Sequence, residues 1–539
     1  MDKEASPRGT LLITAGAYVS AELAAEFGLL PPAFLPVGNR RLLAHQLSET
    51  SGRFERTLMS LPADFQPDAH DVGMLKKAGV ELFFVPRGLN LPASILHVIA
   101  ESGMEEGPLA ILHGDTLIFD IDYGLADAVS IAETGAAYEW AACRIEDGQV
   151  VEVVNVLQGE TQASSILSGF FHFADLNLLV LSLAASRGSF ADAMNRYVSK
   201  RPMRALASDR WLDFGHVHTY YVSRSQITTQ RAFNGLAVAQ RSIVKSSAKP
   251  DRIEAEARWY ESVPPPLRLF LPQYLGRAAD ESYALEFLYL ASLADLFTFG
   301  TLPRNVWAEM LGSCADFLAA AADHRAPDGE AGDVMAMYLP KTLERLEDHA
   351  RATGLDLDRG WKLNGRSTPG LVQIAEATAE RIAPPEARHL TVIHGDSCFS
   401  NILYDFRSQS VRMIDPRGQD AAGNPTIWGD NRYDRAKLHH SAVGLYDLII
   451  AGYVEARNPA EYETEISFPS TPALAAAQDA YADAIVAGQE ADMPAIEAIT
   501  VQLFLSMLPL HADSPARQQA MLANALRLWV ELDEGRPAA

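Results

Sequence analysis

The stretch His394-Gly395-Asp396-Ser397-Cys398-Phe399-Ser400-Asn401 is a polar segment between two short apolar runs, residues 390–393 and 402–404. Each run predicts a short strand, and a further run from residue 411 ends at Asp415. In such an arrangement an Asp can accept a hydroxyl proton, while an Asn five residues later and a second Asp can hold a metal ion. The stretch therefore predicts a phosphoryl-transfer loop, whereas a lone His-Gly-Asp would indicate a solvated hairpin.

The elements predicted before this loop follow the order of a nucleotide-binding lobe. Residues 241–247 predict a strand that carries Lys245, a charged helical segment follows, and residues 282–288 predict another strand. A Lys on a strand can reach the phosphates of a nucleotide if a helix carboxylate holds it in place. Glu256 is the expected partner of Lys245, with Glu254 as the alternative. The expected hinge residues, whose backbone would meet the adenine, are Glu286, Phe287 and Leu288.

Three motifs in the second half resemble the aminoglycoside phosphotransferase/choline kinase family. They are His394-Gly395-Asp396 with Asn401, then Ile414-Asp415-Pro416-Arg417-Gly418, and Tyr433-Asp434 at the start of a predicted helix. The resemblance implies a bilobal, protein-kinase-like α+β domain that uses ATP and Mg²⁺ to phosphorylate small-molecule alcohols. It also implies that Asp396 is the base and that Asn401 and Asp415 are Mg²⁺ ligands. His394 would organise the loop and Asp434 would brace it.

Apolar strands alternate with helical segments in the first part of the chain. The predicted strands are residues 10–16, 57–61, 80–85 and 109–112. This alternation predicts an α/β domain with a doubly wound, mostly parallel sheet, in which ligands bind beyond the carboxyl ends of the strands. The last strand leads into His113-Gly114-Asp115, which places a carboxylate at such an end.

Segments of the first half resemble the sugar-phosphate nucleotidyltransferases. They are Leu35-Pro36-Val37-Gly38 with Arg41-Leu42-Leu43, then Gly114-Asp115, then Trp211-Leu212-Asp213-Phe214-Gly215-His216. The resemblance implies that Asp115 and Asp213 bind the Mg²⁺ that holds a second NTP, and that the turn containing Gly16 faces that nucleotide. Two carboxylates on one hard cation are chemically reasonable.

The first half lacks cations that this resemblance would require. The turn at residues 15–20 contains no basic residue, Pro32-Ala33 replaces a Pro-Lys pair, and no Glu-Lys-Pro occurs between residues 150 and 168. Arg40, Arg41 and Arg87 are the available substitutes. The sequence leaves open whether the domain is an active nucleotidyltransferase or has kept the fold and lost the chemistry.

Composition excludes several classes of protein. With 539 residues the chain is too long for a single core, and its net charge of −24 does not suit a nucleic-acid binder. Acidic substrates would need local basic groups or Mg²⁺ to offset this charge. The three cysteines have no paired spacing, and the N-terminus makes a poor signal peptide. The most apolar segment, residues 176–185, is about half the length of a membrane span. These features indicate a cytoplasmic protein. The oligomeric state is left open.

Domains are expected at residues 1–228 and 229–539, the latter divided into a small lobe (229–297) and a large, mostly helical lobe (298–539). This order resembles fused proteins of capsule and surface-polysaccharide pathways. Such a protein would phosphorylate a sugar or choline-like alcohol and join the product to a nucleotide. The alternatives are a kinase with a non-catalytic first domain, and a regulatory protein that binds nucleotides or glycans.

Overall fold

The computed structural model describes residues 9–134, 140–155, 164–227, 234–238, 242–278, 281–487 and 490–535. The chain forms two compact units, Met1–Ile227 and Thr228–Ala539. The predicted boundary, between residues 228 and 229, lies next to this division.

The first unit alternates helices and strands before it becomes richer in strands. Its elements are β1 Thr10–Thr14, α1 Ala21–Phe27, β2 Pro36–Val37, β3 Arg40–Arg41, α2 Leu42–Thr50, β4 Arg56–Pro62, α3 Ala69–Lys77, β5 Val80–Val85, α4 Leu91–Glu101, β6 Leu109–His113, β7 Thr116–Ile118, β8 Ala128–Thr134, β9 Ala141–Glu146, β10 Gln149–Asn155, β11 Ser164–Phe173, α5 Leu176–Ala185, α6 Phe190–Val198, β12 Met203–Ala207, β13 Trp211–Asp213 and α7 Val217–Gln226.

The main sheet of this unit is mixed: the prediction of a parallel sheet holds for the four strands on which it was based and is wrong for the strands that follow. Its strand order is β5-β4-β1-β6-β11-β8-β12-β10-β9. The first four strands are parallel, as are β8 and β12, whereas β11 is antiparallel to β6 and β8, and β10 is antiparallel to β12 and β9. One cause is the turn Asp147-Gly148, whose φ values of 50° and 75° suit a tight hairpin between β9 and β10.

The parallel part of the sheet brings strand ends together at one edge. Leu11, Leu12 and Ile13 of β1 are all buried, as expected for a central strand covered on both faces. Thr14 at the end of β1 is in register with His113 at the end of β6. Asp115 therefore follows directly at the carboxyl edge of the sheet.

The second unit begins with a small sheet and continues with many helices. Its elements are β14 Asn234–Val238, β15 Ser242–Ser247, α8 Pro250–Ser262, β16 Tyr274–Ala278, β17 Ser282–Glu286, β18 Ala291–Ser292, α9 Leu293–Phe299, α10 Arg304–Ala322, α11 Leu339–Thr353, β19 Trp361–Leu363, β20 Arg366–Thr368, α12 Leu371–Glu380, β21 Leu390–Val392, β22 Ile402–Asp405, β23 Ser410–Met413, β24 Trp428–Asp430, α13 Asn431–Ala442, α14 Tyr446–Ala451, β25 Glu455–Ala460, β26 Glu463–Ser467, α15 Pro472–Tyr481, α16 Met493–Met507 and α17 Pro515–Asp533.

The small sheet has the antiparallel order β14-β15-β17-β16, and α8 packs against it. The α8 side chains Trp259 and Tyr260 are buried, and the ring of Tyr260 lies 5.7 Å from that of Tyr283 on β17. This packing fixes α8 against the strand pair that carries Lys245.

The part of the chain predicted as a large, mostly helical lobe also contains two hairpins. Strands β19 and β20 combine with β25 and β26 into a four-stranded sheet of order β20-β19-β26-β25. The turn between β19 and β20 is Asn364-Gly365, with φ values of 46° and 83°. An Asn-Gly pair in this conformation favours a hairpin over a helix.

One helix in the described part of the chain, Met493–His511, is long and apolar enough to cross a membrane by length and composition. The apolar stretch of this helix is 67% buried inside the protein, where the helix packs against α11, α12, α13 and α17. Its position in the core of the second unit explains its apolar composition.

Candidate active sites

The loop of residues 394–401, which follows β21, is held by a buried carboxylate. Asp434, in the first turn of α13, accepts hydrogen bonds from the backbone N–H groups of His394 (2.7 Å) and Gly395 (2.8 Å). The Ser397 hydroxyl donates to the backbone carbonyl of Asp434 at 2.8 Å. Gly395 has φ of 76°, and a Cβ there would lie 2.7 Å from Cβ of Arg417, so a larger residue would not fit.

Removal of the Asp434 carboxylate gives the first testable prediction. We expect Asp434→Ala to lower the free energy of unfolding by about 2–5 kcal/mol, because two buried N–H groups would lose their acceptors. The change is measurable by urea denaturation of the full chain. Asp348→Ala, at an exposed position of α11, is the control and should shift stability by less than about 0.5 kcal/mol. Equal stability of the two variants would contradict the bracing role of Asp434.

Asp396 lies in this loop with its side chain 40% exposed, so a substrate can reach it. Its Oδ1 atom lies 2.8 Å from Nζ of Lys437, and Oδ2 accepts a hydrogen bond from Nδ2 of Asn401 at 3.0 Å. Burial alone would raise the pKa of Asp396, but Lys437 outweighs burial and holds that pKa well below its usual range. The carboxylate is therefore ionised and oriented from two sides.

Asn401 and Asp415 provide the oxygen atoms expected of metal ligands. The carbonyl of Asn401 accepts from the backbone N–H of Ile414 at 2.9 Å, which places Asp415 beside the loop. Because Nδ2 of Asn401 donates to Asp396, its side-chain oxygen remains available. Asp415 has φ of 59°, a left-handed conformation that costs a non-glycine residue about 1 kcal/mol. These two residues fit Mg²⁺, which is commonly held by one or two protein oxygens and the phosphates of a nucleotide.

Lys245 joins the small sheet to this pair. Its Nζ atom lies 2.6 Å from Oε2 of Glu256 and 2.9 Å from Oδ1 of Asp415. Burial opposes the charge, but the two carboxylates outweigh it and raise the pKa of Lys245. The alternative partner, Glu254, is bonded to Arg258 and Arg277 instead.

Helix α8 is fastened to the two loops of this site. The indole Nε1 of Trp259 donates to the carbonyl of Ile393 at 2.8 Å. Gly418 has φ of 66°, and a Cβ there would lie 2.4 Å from the carbonyl oxygen of Ala255. The chain after Asp415 can therefore approach the turn of α8 that carries Glu256 only because residue 418 is a glycine.

The predicted hinge lies at the end of β17. The backbone N–H of Glu286 donates to the carbonyl of Gln273 at 2.9 Å, and the backbone N–H of Gln273 donates to Oε1 of Glu286 at 2.9 Å. Phe287 and Leu288 follow and are partly buried. Their contact with an adenine stays a prediction.

Sequence reasoning missed two residues of this site. Lys437 lies one turn after Asp434 on α13, and that i, i+3 spacing was the available signal. Tyr283 donates from its hydroxyl to Oε2 of Glu256 at 2.7 Å, a contact across 27 positions for which the sequence gives no local signal. Cys398 is no nucleophile, because burial raises the pKa of its thiol to about 12.

The first unit has a separate pair of acids. Strand β7, which follows Asp115, pairs with β13, which ends at Asp213, and the N–H of Phe214 donates to the carbonyl of Asp115 at 2.8 Å. A Cβ on Gly215 would lie 2.9 Å from Oδ2 of Asp115 and 3.4 Å from Oδ1 of Asp213. The two carboxylates therefore face the same small space.

The charge state of this pair suits a bound cation. Burial, followed by the neighbouring Asp115 carboxylate, raises the pKa of Asp213 to about 7. Its Oδ2 atom is buried without a hydrogen-bond partner in the described part of the chain. A bound Mg²⁺ would offset the burial of the Asp213 carboxylate and its repulsion from Asp115, and phosphate oxygens of a nucleotide would complete the ligands of the ion. No group of three or more His, Cys, Asp or Glu among the described residues could hold a metal alone.

Asp115 lies at the wall of a cavity of about 250 Å³. The other lining residues are Thr14, Ala15, Ala17, Tyr18, Val19, Ser20, Pro32, Leu91, His113, Phe214 and Gly215. None of these described residues is a Lys or Arg. Gly16 lies within the lining turn, but a Cβ there would meet Cγ2 of Val85 at 2.5 Å, which explains the glycine by packing.

The three candidate arginines of the first unit differ in position. Arg41 is buried and bonded to Asp71 (3.0 Å) and to the carbonyl of Phe34 (2.9 Å), so its role is structural. Arg40 is exposed on β3. Arg87 lies 5.0 Å from the ring centroid of the cavity-lining Tyr18 and is bonded to Asp64. Arg87 is therefore the arginine of the three with a contact to the cavity wall.

Solved structures of sugar-phosphate nucleotidyltransferases match the N-terminal part of the chain, about 40% of its length. A UDP-glucose pyrophosphorylase complexed with UDP-glucose is 15% identical over 41% of this chain and 98% of its own, with a TM-score of 0.33. A nucleoside-diphosphate-sugar pyrophosphorylase from Vibrio cholerae RC9 is 15% identical over 40% of this chain and 100% of its own (TM-score 0.32). The inositol-1-phosphate CTP transferase from T. maritima is 14% identical over 41% and 96% (TM-score 0.31).

No protein-family model and no curated protein matches the chain. The functional arguments below therefore rest on the residues and contacts of the chain itself.

Proposed function

We propose that the second unit is an ATP- and Mg²⁺-dependent kinase with a bilobal, protein-kinase-like fold that phosphorylates a hydroxyl group of a sugar or amino-alcohol. The observation that carries this proposal is the direct contact of Lys245 with both Glu256 and Asp415. It joins a phosphate-binding lysine to a carboxylate that fixes it and to a metal ligand, which is the arrangement that phosphoryl transfer requires.

Each residue of this site would have a separate task. Lys245 would bind the α- and β-phosphates of ATP, and Asn401 and Asp415 would hold Mg²⁺, which when bound neutralises charge on the phosphates. Asp396 would accept the proton of the acceptor hydroxyl. The oxygen of that hydroxyl would form a bond to the γ-phosphorus of ATP while the bond between the γ-phosphorus and ADP breaks. Lys437 would keep Asp396 ionised and close to the transferred group.

The first unit would use the phosphorylated product. A phosphate oxygen of that product would attack the α-phosphorus of an NTP, and pyrophosphate would leave. Asp115 and Asp213 would hold Mg²⁺ for this step. One cytoplasmic polypeptide would then turn a free sugar or amino-alcohol into a nucleotide-activated precursor, in keeping with the predicted place in surface-polysaccharide synthesis.

A second candidate function is a kinase whose first unit binds a nucleotide or glycan without catalysis. The favouring observation is the cavity beside Asp115, which has no Lys or Arg among its described lining residues. Triphosphate binding usually relies on such cations. Pyrophosphate release in the presence of CTP, GTP, UTP or dTTP separates the two candidates.

Replacement of Lys245 tests the kinase proposal. We expect Lys245→Met to lower kcat/KM for ATP about 10²-fold, because the phosphates lose a preorganised cation. The measurement is ADP formation with free sugars, choline and ethanolamine as acceptors, together with calorimetric titration of ATP in the presence of Mg²⁺.

Lys362→Met is the matched control, because Lys362 is exposed, is bonded to Glu463 on the adjacent strand β26, and belongs to a different sheet from Lys245. This variant should retain the parental affinity for ATP. If the parent protein binds no ATP, or if Lys245→Met binds and turns it over as the parent does, the kinase proposal is wrong.

A further inference from the structure

Four cationic side chains of the second unit, Lys437, Arg417, Lys341 and Arg345, form a cluster that includes the Asp396 carboxylate. Lys437 lies 2.8 Å from Asp396. Arg417 and Lys341 also interact electrostatically with Asp396, and Arg345 interacts with Lys341. This local charge is opposite in sign to the net charge of −24 on the whole chain. Such a cluster attracts anions into an otherwise acidic protein.

Two of these cations already have partners on α13. Arg417 donates from Nη1 to the hydroxyl of Tyr433 at 3.1 Å, and its guanidinium lies 5.7 Å from the centroid of that ring. Nζ of Lys437 lies 6.0 Å from the same centroid. Tyr433 thus holds both cations near Asp396.

The other two cations come from α11, whose start is held against the start of α13. Tyr338, directly before α11, donates to Oδ2 of Asp430 at 2.8 Å, and its ring lies 6.3 Å from that of Tyr433. Lys341 is in the first turn of α11 and Arg345 follows one turn later on the same face. Both side chains are partly buried.

Lys341 and Arg345 have no hydrogen bond or ion pair to any residue that the structure describes. Burial, followed by repulsion from Arg417, Lys437 and Arg345, lowers the pKa of Lys341 to about 6. A partly buried lysine that is surrounded by cations and has no anionic partner carries a free-energy cost. An anion at this position would remove that cost.

We propose that Lys341 and Arg345 bind an oxyanion of the phosphate acceptor. The acceptor is then a hydroxyl compound that also carries a carboxylate or phosphate group, such as a sugar acid. This inference rests on the proposed kinase function and specifies the substrate class of that site. Lys245 and Mg²⁺ serve the phosphates of ATP, Lys437 is paired with Asp396 and Arg417 with Tyr433, which leaves the two α11 cations for the acceptor.

The test uses sulfate as a probe, because this dianion does not titrate near neutral pH. The full chain is saturated with Mg²⁺ and a non-hydrolysable ATP analogue that fills the γ-phosphate position, and sulfate binding is measured by calorimetry. We expect Lys341→Met/Arg345→Gln to weaken sulfate binding at least 10-fold. Arg351→Gln, an exposed position on the same helix, should bind sulfate as the parent does.

Proton uptake supplies a readout that a purely structural role would not give. At pH 7.5 sulfate should bind with uptake of close to one proton, because a neutral Lys341 becomes charged beside the anion. Repeating the titration in buffers of different ionisation enthalpy measures this number. Lys341→Met alone should abolish the uptake, and Arg345→Gln alone should retain part of it, because burial, Arg417 and Lys437 still lower the pKa of Lys341.

Acceptor preference completes the test. Among sugars matched in all but one group, those with a carboxylate or phosphate should be phosphorylated with kcat/KM at least 10-fold above the neutral or amino forms. Parental sulfate binding in the double variant, no sulfate binding to the parent, or equal use of neutral acceptors would overturn this inference and leave the kinase proposal intact. Failure of the parent to bind ATP would instead overturn the kinase proposal.

Discussion

Asp396→Asn is expected to lower kcat for phosphate transfer about 10³-fold while the affinity for ATP changes less than about 3-fold. The amide preserves the shape of the side chain and can still contact Lys437 and Asn401, but it cannot accept the proton of the acceptor hydroxyl. Single-turnover transfer of radiolabelled γ-phosphate measures the chemical step, and calorimetry measures ATP binding. A variant as fast as the parent would exclude Asp396 as the base.

The pH profile of the parent gives a second check on Asp396. Lys437 lowers the pKa of Asp396, so the basic form is present above that lowered pKa and is lost only as pH falls through it. We therefore expect kcat to stay level from pH 8 down to about pH 5, with no acid limb from this group. Asp513→Asn, at an exposed position near the start of α17, is the control for nonspecific effects of the amide on both rate and profile.

The contacts of Lys245 and of the loop at residues 394–401 involve residues that the sequence singles out, because their signals are local. The polar stretch at residues 394–401 is bounded by apolar runs, and the strand that carries Lys245 is followed by a helix with acidic residues. Glu256 rather than Glu254 contacts Lys245, because residue 256 faces the sheet while Glu254 bonds Arg258 and Arg277 near the surface. Helical periodicity alone did not decide which of these two glutamates contacts Lys245.

Other parts of the molecule depend on contacts that a single sequence does not encode locally. Tyr283 on β17 reaches Glu256 on α8, and Arg41 on β3, a candidate phosphate ligand by position, is bonded to Asp71 on α3. Both pairings depend on which elements become neighbours. The missed hairpins are different, because Asp147-Gly148 and Asn364-Gly365 are turn signals that were present in the sequence.

The acid pair of the first unit yields the second large expected effect. In an assay of pyrophosphate release, Asp115→Asn and Asp213→Asn should each lower the rate about 10²–10³-fold if the unit is an active nucleotidyltransferase, because each removes a charged Mg²⁺ ligand. Asp120→Asn, at an exposed position beside Arg210, is the matched control and should retain the parental rate. A parent that releases no pyrophosphate with any NTP would favour the non-catalytic alternative.

The pH dependence of stability measures the free-energy cost of the ionised Asp213 separately from its effect on catalysis. The pKa of Asp213 is about 7 in the folded protein and 3.8 in an unperturbed side chain, so the unfolded state loses its proton first as pH rises. The free energy of unfolding therefore decreases as pH rises from 3.8 to about 7. The full loss, on the order of 2–4 kcal/mol, is present above pH 7. In EDTA, Asp213→Asn should therefore raise the Tm of the first unit more at pH 8 than at pH 5. An unchanged or lower Tm at pH 8 would show that the ionised carboxylate carries no such cost and would remove the argument that this site is built for a cation.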